Sequence, residues 1–261
     1  VEIVLVITKI NALNNYSGAT KVQWEVADTS ESTSDYMFNV YSSASPDSGF
    51  VKLNDDLLDV MEYTYVHPYQ TDSSVRIYFK VESLHVSTGT SSISNMSAST
   101  YLTPRDPVAD TIMYQHDILL EHVLGRPVVK LLVKRRSGTR CPVCWDDELM
   151  EVRKSNCTSC YSVGYEGGYL PPKDIYISFA EPGFMTKFDI TDVKDVQQGI
   201  TQAWSRGDPL ILPGDVIVDK LDRRFIVIQV QPTTRSGVIY LRQLLQLQLI
   251  PPTNVIYKLD V

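Results

Sequence analysis

Between Val1 and Pro104 apolar and polar residues alternate in short runs. In TKVQWEVAD, Val22, Trp24 and Val26 fall on one face, and in VRIYFKVESL, Ile77, Phe79 and Val81 oppose Tyr78 and Lys80. A period of two is what a strand with one buried face requires, because successive side chains point to opposite sides. EIVLVITKI, TKVQWEVAD, YMFNVYSS, GFVKLN, YTYVHP, VRIYFKVESLHV and SISNMSAST are seven such runs, separated by Ser, Asn, Asp and Gly clusters. Their spacing of about 8–12 residues predicts an antiparallel β-sandwich over residues 1–104. The opening VEIVLVI carries Glu2 and has no basic flank, so it reads as the first strand and not as a signal peptide.

The period then changes. Asp106 can cap a helix, Pro107 suits its first position, and Gly125 with Pro127 supplies a stop, which predicts a helix over 107–124. Val108, Ile112, Leu119 and Val123, with Leu120 and Leu124, give it an apolar stripe. VVKLLVKRR and IYISF read as strands that enter and leave a cysteine-rich segment, 139–172. Beyond them, Val216 and Val218, then Phe225, Val227 and Gln229, then the strand Val238 to Leu249, predict a β-meander or small barrel. In that last strand Leu241, Gln243, Leu245, Leu247 and Leu249 share one face. The fold class is therefore mainly β: a sandwich, then a C-terminal α+β domain over 105–261 with one long helix and a cysteine-bearing hairpin.

Composition narrows the partners. The 261 residues are 43% hydrophobic and 21% charged, and no apolar run approaches the ~20 residues a membrane-spanning helix needs, so no membrane partner is expected. The net charge of -7 is uneven: residues 1–106 hold 6 Lys and Arg against 13 Asp and Glu, and the remainder holds 18 of each. An acidic first half argues against nucleic acid there.

Four cysteines, the whole complement of the chain, form two Cys-x-x-Cys pairs, Cys141/Cys144 and Cys157/Cys160, twelve residues apart. Each pair presents two thiolates on one short loop, and together they supply the four soft ligands of a tetrahedral zinc ion. Such a site is closed and leaves no position for substrate, so the zinc would be structural. Trp145 and Tyr161 are placed to cover the sulfurs, and Gly164, Gly167 and Gly168 free the backbone for a tight exit. Two disulfides, which call for an oxidising compartment, and a rubredoxin-like iron centre with the same ligands are the alternatives.

Lys130, Lys134, Arg135, Arg136 and Arg140 lead into this segment, and Asp146, Asp147, Glu148 and Glu151 offset them, which makes DNA contact a minor expectation. No catalytic constellation emerges. His67, His85, His116 and His122 are scattered, and Asp117 and Glu121 share a helix face as a solvated stripe. Asp215, Asp219 and Asp222 lack the spacing of a calcium loop, and neither phosphate-loop nor nucleophile-elbow motifs occur. The chain reads as a non-enzyme without a small-molecule substrate.

Two resemblances follow from quoted residues. Trp24 in the second strand, Tyr78-Phe79-Lys80-Val81 in the sixth and the lack of an inter-sheet disulfide resemble a fibronectin type III domain, an immunoglobulin-like sandwich, over about 100 residues. Trp24 and Tyr78 would then be core residues. Residues 107–261 resemble virion proteins from the neck of tailed bacteriophages. The ordered set is the helix, LGRPV at 124–128 with KLLVKRR, Arg140 to Asp146 (RCPVCWD), Cys157-Thr158-x-Cys160-Tyr161, Gly164, Gly167-Gly168-Tyr169, Pro171, LPGDVIVDKLDRRFIV and Ile250-Pro251-Pro252. Ser162-Val163-Gly164 replaces the Gly-Thr-Gly common after the second pair.

The second resemblance implies a structural subunit of the virion, assembled in the bacterial host cytoplasm. It would form a homo-oligomeric ring at the head-tail connection, between portal and tail proteins. Two other functions fit parts of the sequence. One is a surface or secreted binding module whose Trp24, Tyr36, Tyr41 or Tyr63 stacks on carbohydrate; the other is a zinc-ribbon protein that binds nucleic acid.

Overall fold

The structure is a computed structural model that describes residues 5–27, 33–67, 75–102, 104–123, 128–154, 156–179 and 200–261. It divides into two compact units, Val1–Pro107 with Arg136–Arg140, and Val108–Arg135 with Cys141–Val261. Among the described residues the fold is mainly β with one α-helix, and none of their helices is long and apolar enough to cross a membrane.

In the first unit the strands are β1 (Ile7–Tyr16), β2 (Ala19–Val26), β3 (Tyr36–Ser43), β4 (Val51–Lys52), β5 (Glu62–Val66), β6 (Arg76–His85), β7 (Ser91–Ile93) and β8 (Ala98–Tyr101). They form a three-stranded sheet, β1-β2-β5, and a second sheet, β4-β3-β6-β7, with β8 also paired to β6. Val22, Trp24 and Val26 from one sheet and Phe38, Val40, Ile77, Phe79 and Val81 from the other make a single core. Within it the Trp24 and Phe38 rings meet edge-on at 5.4 Å.

The strand reading holds with three differences. β1 runs on through Asn11 to Tyr16, because Gly18 at φ +66° closes a tight hairpin and Asn14 finds partners in Tyr101 O and Thr20 Oγ1. The last predicted run splits into β7 and β8, which pair with successive stretches of β6. Tyr78 is no core residue: it lies on the outer face of β6 with the Arg76 guanidinium 5.4 Å from its ring. Residues 1–4 of the predicted first strand lie outside the described residues.

The proposed stacking aromatics are not an exposed platform. Trp24 and Tyr36 are buried. Tyr63 packs on the core and donates to Leu53 O at 3.1 Å, and the Tyr41 hydroxyl donates to Glu82 at 2.7 Å. Burial and that bond push the Tyr41 pKa up to about 12. At Glu82, burial raises the pKa, but bonds from Asn39, Tyr41 and Ser91 and the charge of Lys52 outweigh it and leave the carboxyl below its ordinary range.

The second unit opens with α1 (Pro107–Ile118), which passes into a π-helical turn, Leu119–Val123. Its predicted stripe is rotated. Ala109, Ile112 and Met113 pack on Ile239 and Leu241, and Leu120 is fully buried, whereas Val108, Leu119 and Val123 are exposed. Leu124, Gly125 and Pro127 lie outside the described residues. Asp117 and Glu121 are not a solvated stripe either, since both clasp Arg206, which also stacks over Tyr176. Burial pushes the Asp117 carboxyl up, while the guanidinium pulls it down.

After α1 come β9 (Val128–Leu132), β10 (Trp145–Asp146), β11 (Glu151–Val152), β12 (Lys173–Phe179), β13 (Ile200–Arg206), β14 (Val216–Val218), β15 (Arg224–Arg235) and β16 (Ile239–Leu249). Six of these close into an antiparallel barrel in the order β12-β13-β16-β15-β14-β9, with β9 returning to β12. Its interior is filled by Leu131, Ile177, Ile211, Ile217, Val227, Leu245 and Leu247 among others, so it is a packed core and not a channel. On the outside, Val216 and Val218 pack with Leu132, Ile250 and Ile256.

A bulge between Val227 and Gln229 turns Gln229 outward and seats Val230 instead. Gln243, on the inward face of β16, is fully buried and satisfied: its Oε1 accepts from Ile211 N at 2.9 Å, and its Nε2 donates to Arg206 O and Pro209 O, each at 2.8 Å.

Candidate metal centre

The cysteine segment is an excursion between β9 and β12. Past the end of β9 the ladder continues as Leu170 N to Val133 O, a Lys134–Tyr169 bridge and Arg135 N to Gly168 O, and this pinches the base of the excursion shut. Asp215 secures the same base. Its buried carboxylate accepts from Lys134 N at 3.0 Å and from Leu212 N at 2.8 Å, which ties the LPGD turn to the strand that delivers Cys141.

Cys141, Cys144, Cys157 and Cys160 are 0–4% exposed, and their Sγ atoms all lie within 4.8 Å of one another. Cys141 and Cys157 are separated by 3.7 Å and Cys144 and Cys160 by 3.1 Å, so the contacts run between the two pairs. A disulfide has an S–S length of about 2.05 Å, and none of these pairs is bonded. A tetrahedral site with metal–sulfur bonds of about 2.3 Å places its sulfurs about 3.8 Å apart, the scale seen here. These four side chains can hold one metal ion, and they are the one such group among the described residues.

The local backbone explains the convergence. Each loop closes on itself, with Trp145 N donating to Cys141 O and Val163 N to Cys160 O. The chain then passes through the left-handed region at Tyr161, Ser162 and Gly164, and Gly164 N points at Cys160 Sγ, 3.4 Å away. Gly168, at φ +64°, has no room for a side chain because a Cβ would run into the Cys160 carbonyl. Burial and the neighbouring thiols push the Cys144 thiol well above its usual range. Burial also opposes ionisation of Cys157, but N–H groups of Cys160 and Ser159 outweigh it and bring that thiol to about 7. Backbone donors thus favour thiolate on one member of the set.

Covering of the sulfurs differs from expectation. The apolar side chain packed on them is Val152, while the Trp145 ring lies along Gly164 and Tyr161 beside Gly168. Val152 sits on the small β10/β11 hairpin. Asp146 closes that hairpin's turn: its Oδ1 accepts from Glu148 N and Leu149 N, and Arg153 pairs with it. Its carboxyl is buried, which would raise its pKa, yet the Arg153 bond and the two N–H donors hold it below the usual range. Asp146 is therefore consumed inside the hairpin and does not offset the basic run.

Two members of that run have acidic neighbours. Lys130 stands directly across from Asp174 in the β9/β12 ladder, and Arg135 is half-buried beside Glu166. Asp219 accepts from Leu221 N, Arg223 N and Arg223 Nε, and Asp222 pairs with Arg224, so with Asp215 these carboxylates serve turns and strand junctions. The histidines stay apart: His67 meets Thr20, His85 meets Tyr36, and His116 meets Trp204. Asp215 and Gln243 were not found as structural residues from sequence; the LPGD turn and the glutamine on an apolar strand face were their only signals.

No protein-family model and no curated protein sequence matches the chain. Among solved structures it is similar to a family 76 glycoside hydrolase from a bovine Bacteroides thetaiotaomicron strain, at 8% identity and a TM-score of 0.29 over 55% of this chain and 28% of that one. It is also similar to titin kinase with its flanking domains, at 9% identity and a TM-score of 0.31 over 96% of this chain and 38% of that one. The chain thus spans well under half the length of either, and similarity at this level carries no argument about fold or function.

Proposed function

We propose that this protein is a non-enzymatic structural subunit of a tailed-phage virion, forming a ring of identical copies at the neck between portal and tail. In this reading the four cysteines bind one structural zinc ion as a zinc-ribbon-like hairpin, and the first unit is a fibronectin type III-like sandwich that decorates the assembly. The observation that carries it is the closed four-cysteine cluster at the pinched base of an excursion from a packed barrel. Four thiolates complete a tetrahedral sphere, so the ion would organise backbone and have no open position for water or substrate.

Further support is the way the ionisable groups are spent. Asp117, Glu121, Asp146, Asp215, Asp219 and Asp222 all serve internal clasps and turns. In the first unit, a three-stranded sheet shares one core with the sheet built on β3 and β6, an arrangement that suits a sandwich.

Native mass spectrometry of the protein purified without reductant tests this in one experiment. The expected result is one zinc per chain in a closed multimer of many copies. A metal-free monomer four hydrogens lighter than the reduced chain would mean two disulfides and would bring the secreted binding module forward.

A further inference from the structure

Resting on the structural-zinc reading, we propose that the β10/β11 hairpin is a hinged cover over the four sulfurs, latched by Asp146, and that its opening sets the rate at which the metal exchanges. The cysteines are 0–4% exposed, so an ion held among them reaches water or a competing ligand only after some part of its surroundings moves. The apolar side chain packed on the sulfurs, Val152, comes from this hairpin. A Cβ added to Gly164 would stand 2.9 Å from Val152 Cγ2 and 3.4 Å from the Trp145 ring, so the hairpin closes directly against the exit of the second cysteine loop.

The hairpin is the part best able to move alone. Its strands lie between Cys144 and Cys157 in the chain and pair with each other at two positions, Trp145 with Val152 and Asp146 with Glu151. A two-stranded ladder is marginal in water by itself, and one this short more so. The cysteine loops have bonds of their own: Cys141 N donates to Gly164 O at 3.0 Å, Val163 N to Cys160 O at 2.9 Å, and Gly164 N to Cys160 Sγ at 3.4 Å. At the hinge, Arg153 N donates to Cys144 O at 2.8 Å. Lifting the hairpin about this bond takes Val152 off the sulfurs and need displace none of the four ligands.

One side chain holds the closed form together. The buried Asp146 carboxylate accepts from Glu148 N at 2.9 Å and Leu149 N at 3.3 Å through Oδ1, and its Oδ2 pairs with Arg153 on the returning chain. Bonds to a carboxylate are stronger than those between neutral groups, which suits a latch. The Arg153 side chain is 60% exposed, so its ion pair is screened by water and gives way more readily than a buried one.

The test uses the full chain loaded with zinc. Transfer of zinc to an excess of a chromogenic chelator gives the release rate, and amide hydrogen exchange of the loaded protein, read by mass spectrometry, gives the opening of residues 146–152. Asp146→Ala removes the latch and Val152→Ala thins the cover. Asp147→Ala, on the exposed turn, removes the same charge as the first and neither function. Wild type and Asp147→Ala should release zinc at one rate, and the other two about tenfold faster or more, the factor that one lost bond to a charged group supplies. Hairpin amides should exchange before the metal leaves, and sooner in Asp146→Ala, while the cysteine loops stay protected. If Asp146 served the turn alone, its loss would speed hairpin exchange without changing release. That result, or hairpin amides that exchange only as zinc departs, overturns the cover and leaves the zinc reading standing. Should Asp146→Ala take up no zinc, Val152→Ala decides by the same two measurements. A wild-type chain that takes up no zinc overturns both readings.

Discussion

Among the described residues of the first unit twelve buried apolar side chains form one core in which Phe38, Val40, Phe79 and Val81 are at most 1% exposed, whereas the excursion from Cys141 to Gly168 buries four sulfurs and has Val152 as their apolar neighbour. The first can be held by removal of hydrocarbon from water. The second has too little hydrocarbon to offset the ordering of its backbone, at about 1–2 kcal/mol per residue, and in the proposed reading depends on metal–thiolate bonds. The barrel at its base belongs with the first case, being filled with Leu, Ile and Val. One chain therefore combines regions that should respond to different insults.

The largest effect expected from a single change is at the metal. Cys160→Ser removes one of four ligands, and structural zinc in comparable small sites stabilises folding by about 10–16 kcal/mol. Metal content measured by atomic absorption should fall to near zero, while far-ultraviolet circular dichroism keeps the β signal of both packed cores. Phe79→Ala is the mirror experiment. It should lower the stability of the first unit by about 3–5 kcal/mol in urea titration and leave bound metal unchanged.

A smaller effect, confined to the excursion, is expected from Gly168→Ala. The added Cβ meets the Cys160 carbonyl at a left-handed position, so metal affinity, read by competition with a chromogenic chelator, should weaken by about tenfold or more.

The smallest effect sits on the outer surface of the first unit. Because the Glu82 pKa is lowered on folding, its contribution is fully present above the ordinary value of 4.5 and is lost as pH falls through the folded value. Because the Tyr41 pKa is raised to about 12, its contribution is full below 10 and is lost as pH rises toward 12. Tyr41→Phe should therefore cost about 1 kcal/mol or less between pH 5 and 10, and the difference should shrink in acid. A difference that grows in acid would contradict the pairing.

What the sequence disclosed follows from how locally each feature is encoded. Two Cys-x-x-Cys pairs carry their geometry in the spacing, and the inward residues of β2 and β6 carry theirs in the alternation. β13 escaped detection because its inward Ala203 and Ser205 are small and its Trp204 faces outward, so no hydrophobic alternation marks it. The bulge that turns Gln229 outward has no mark in the sequence, yet one bulge residue reverses every later position on a strand. The helix stripe was rotated because Val108, Leu119 and Val123 are apolar without being core; hydrophobicity alone does not separate a face that packs inside from one left exposed. Asp215 could not be read as a clasp, since its partner Lys134 meets it only once the barrel is closed.

The contrast between a core held by burial and an excursion proposed to be held by metal is tested most directly by amide hydrogen exchange, read by mass spectrometry with and without a strong chelator. The account predicts that chelation abolishes protection between Cys141 and Gly168 and leaves β6 and β16 protected as before. Protection of the excursion that survives complete metal removal, or its loss together with that of β6 and β16, would contradict it.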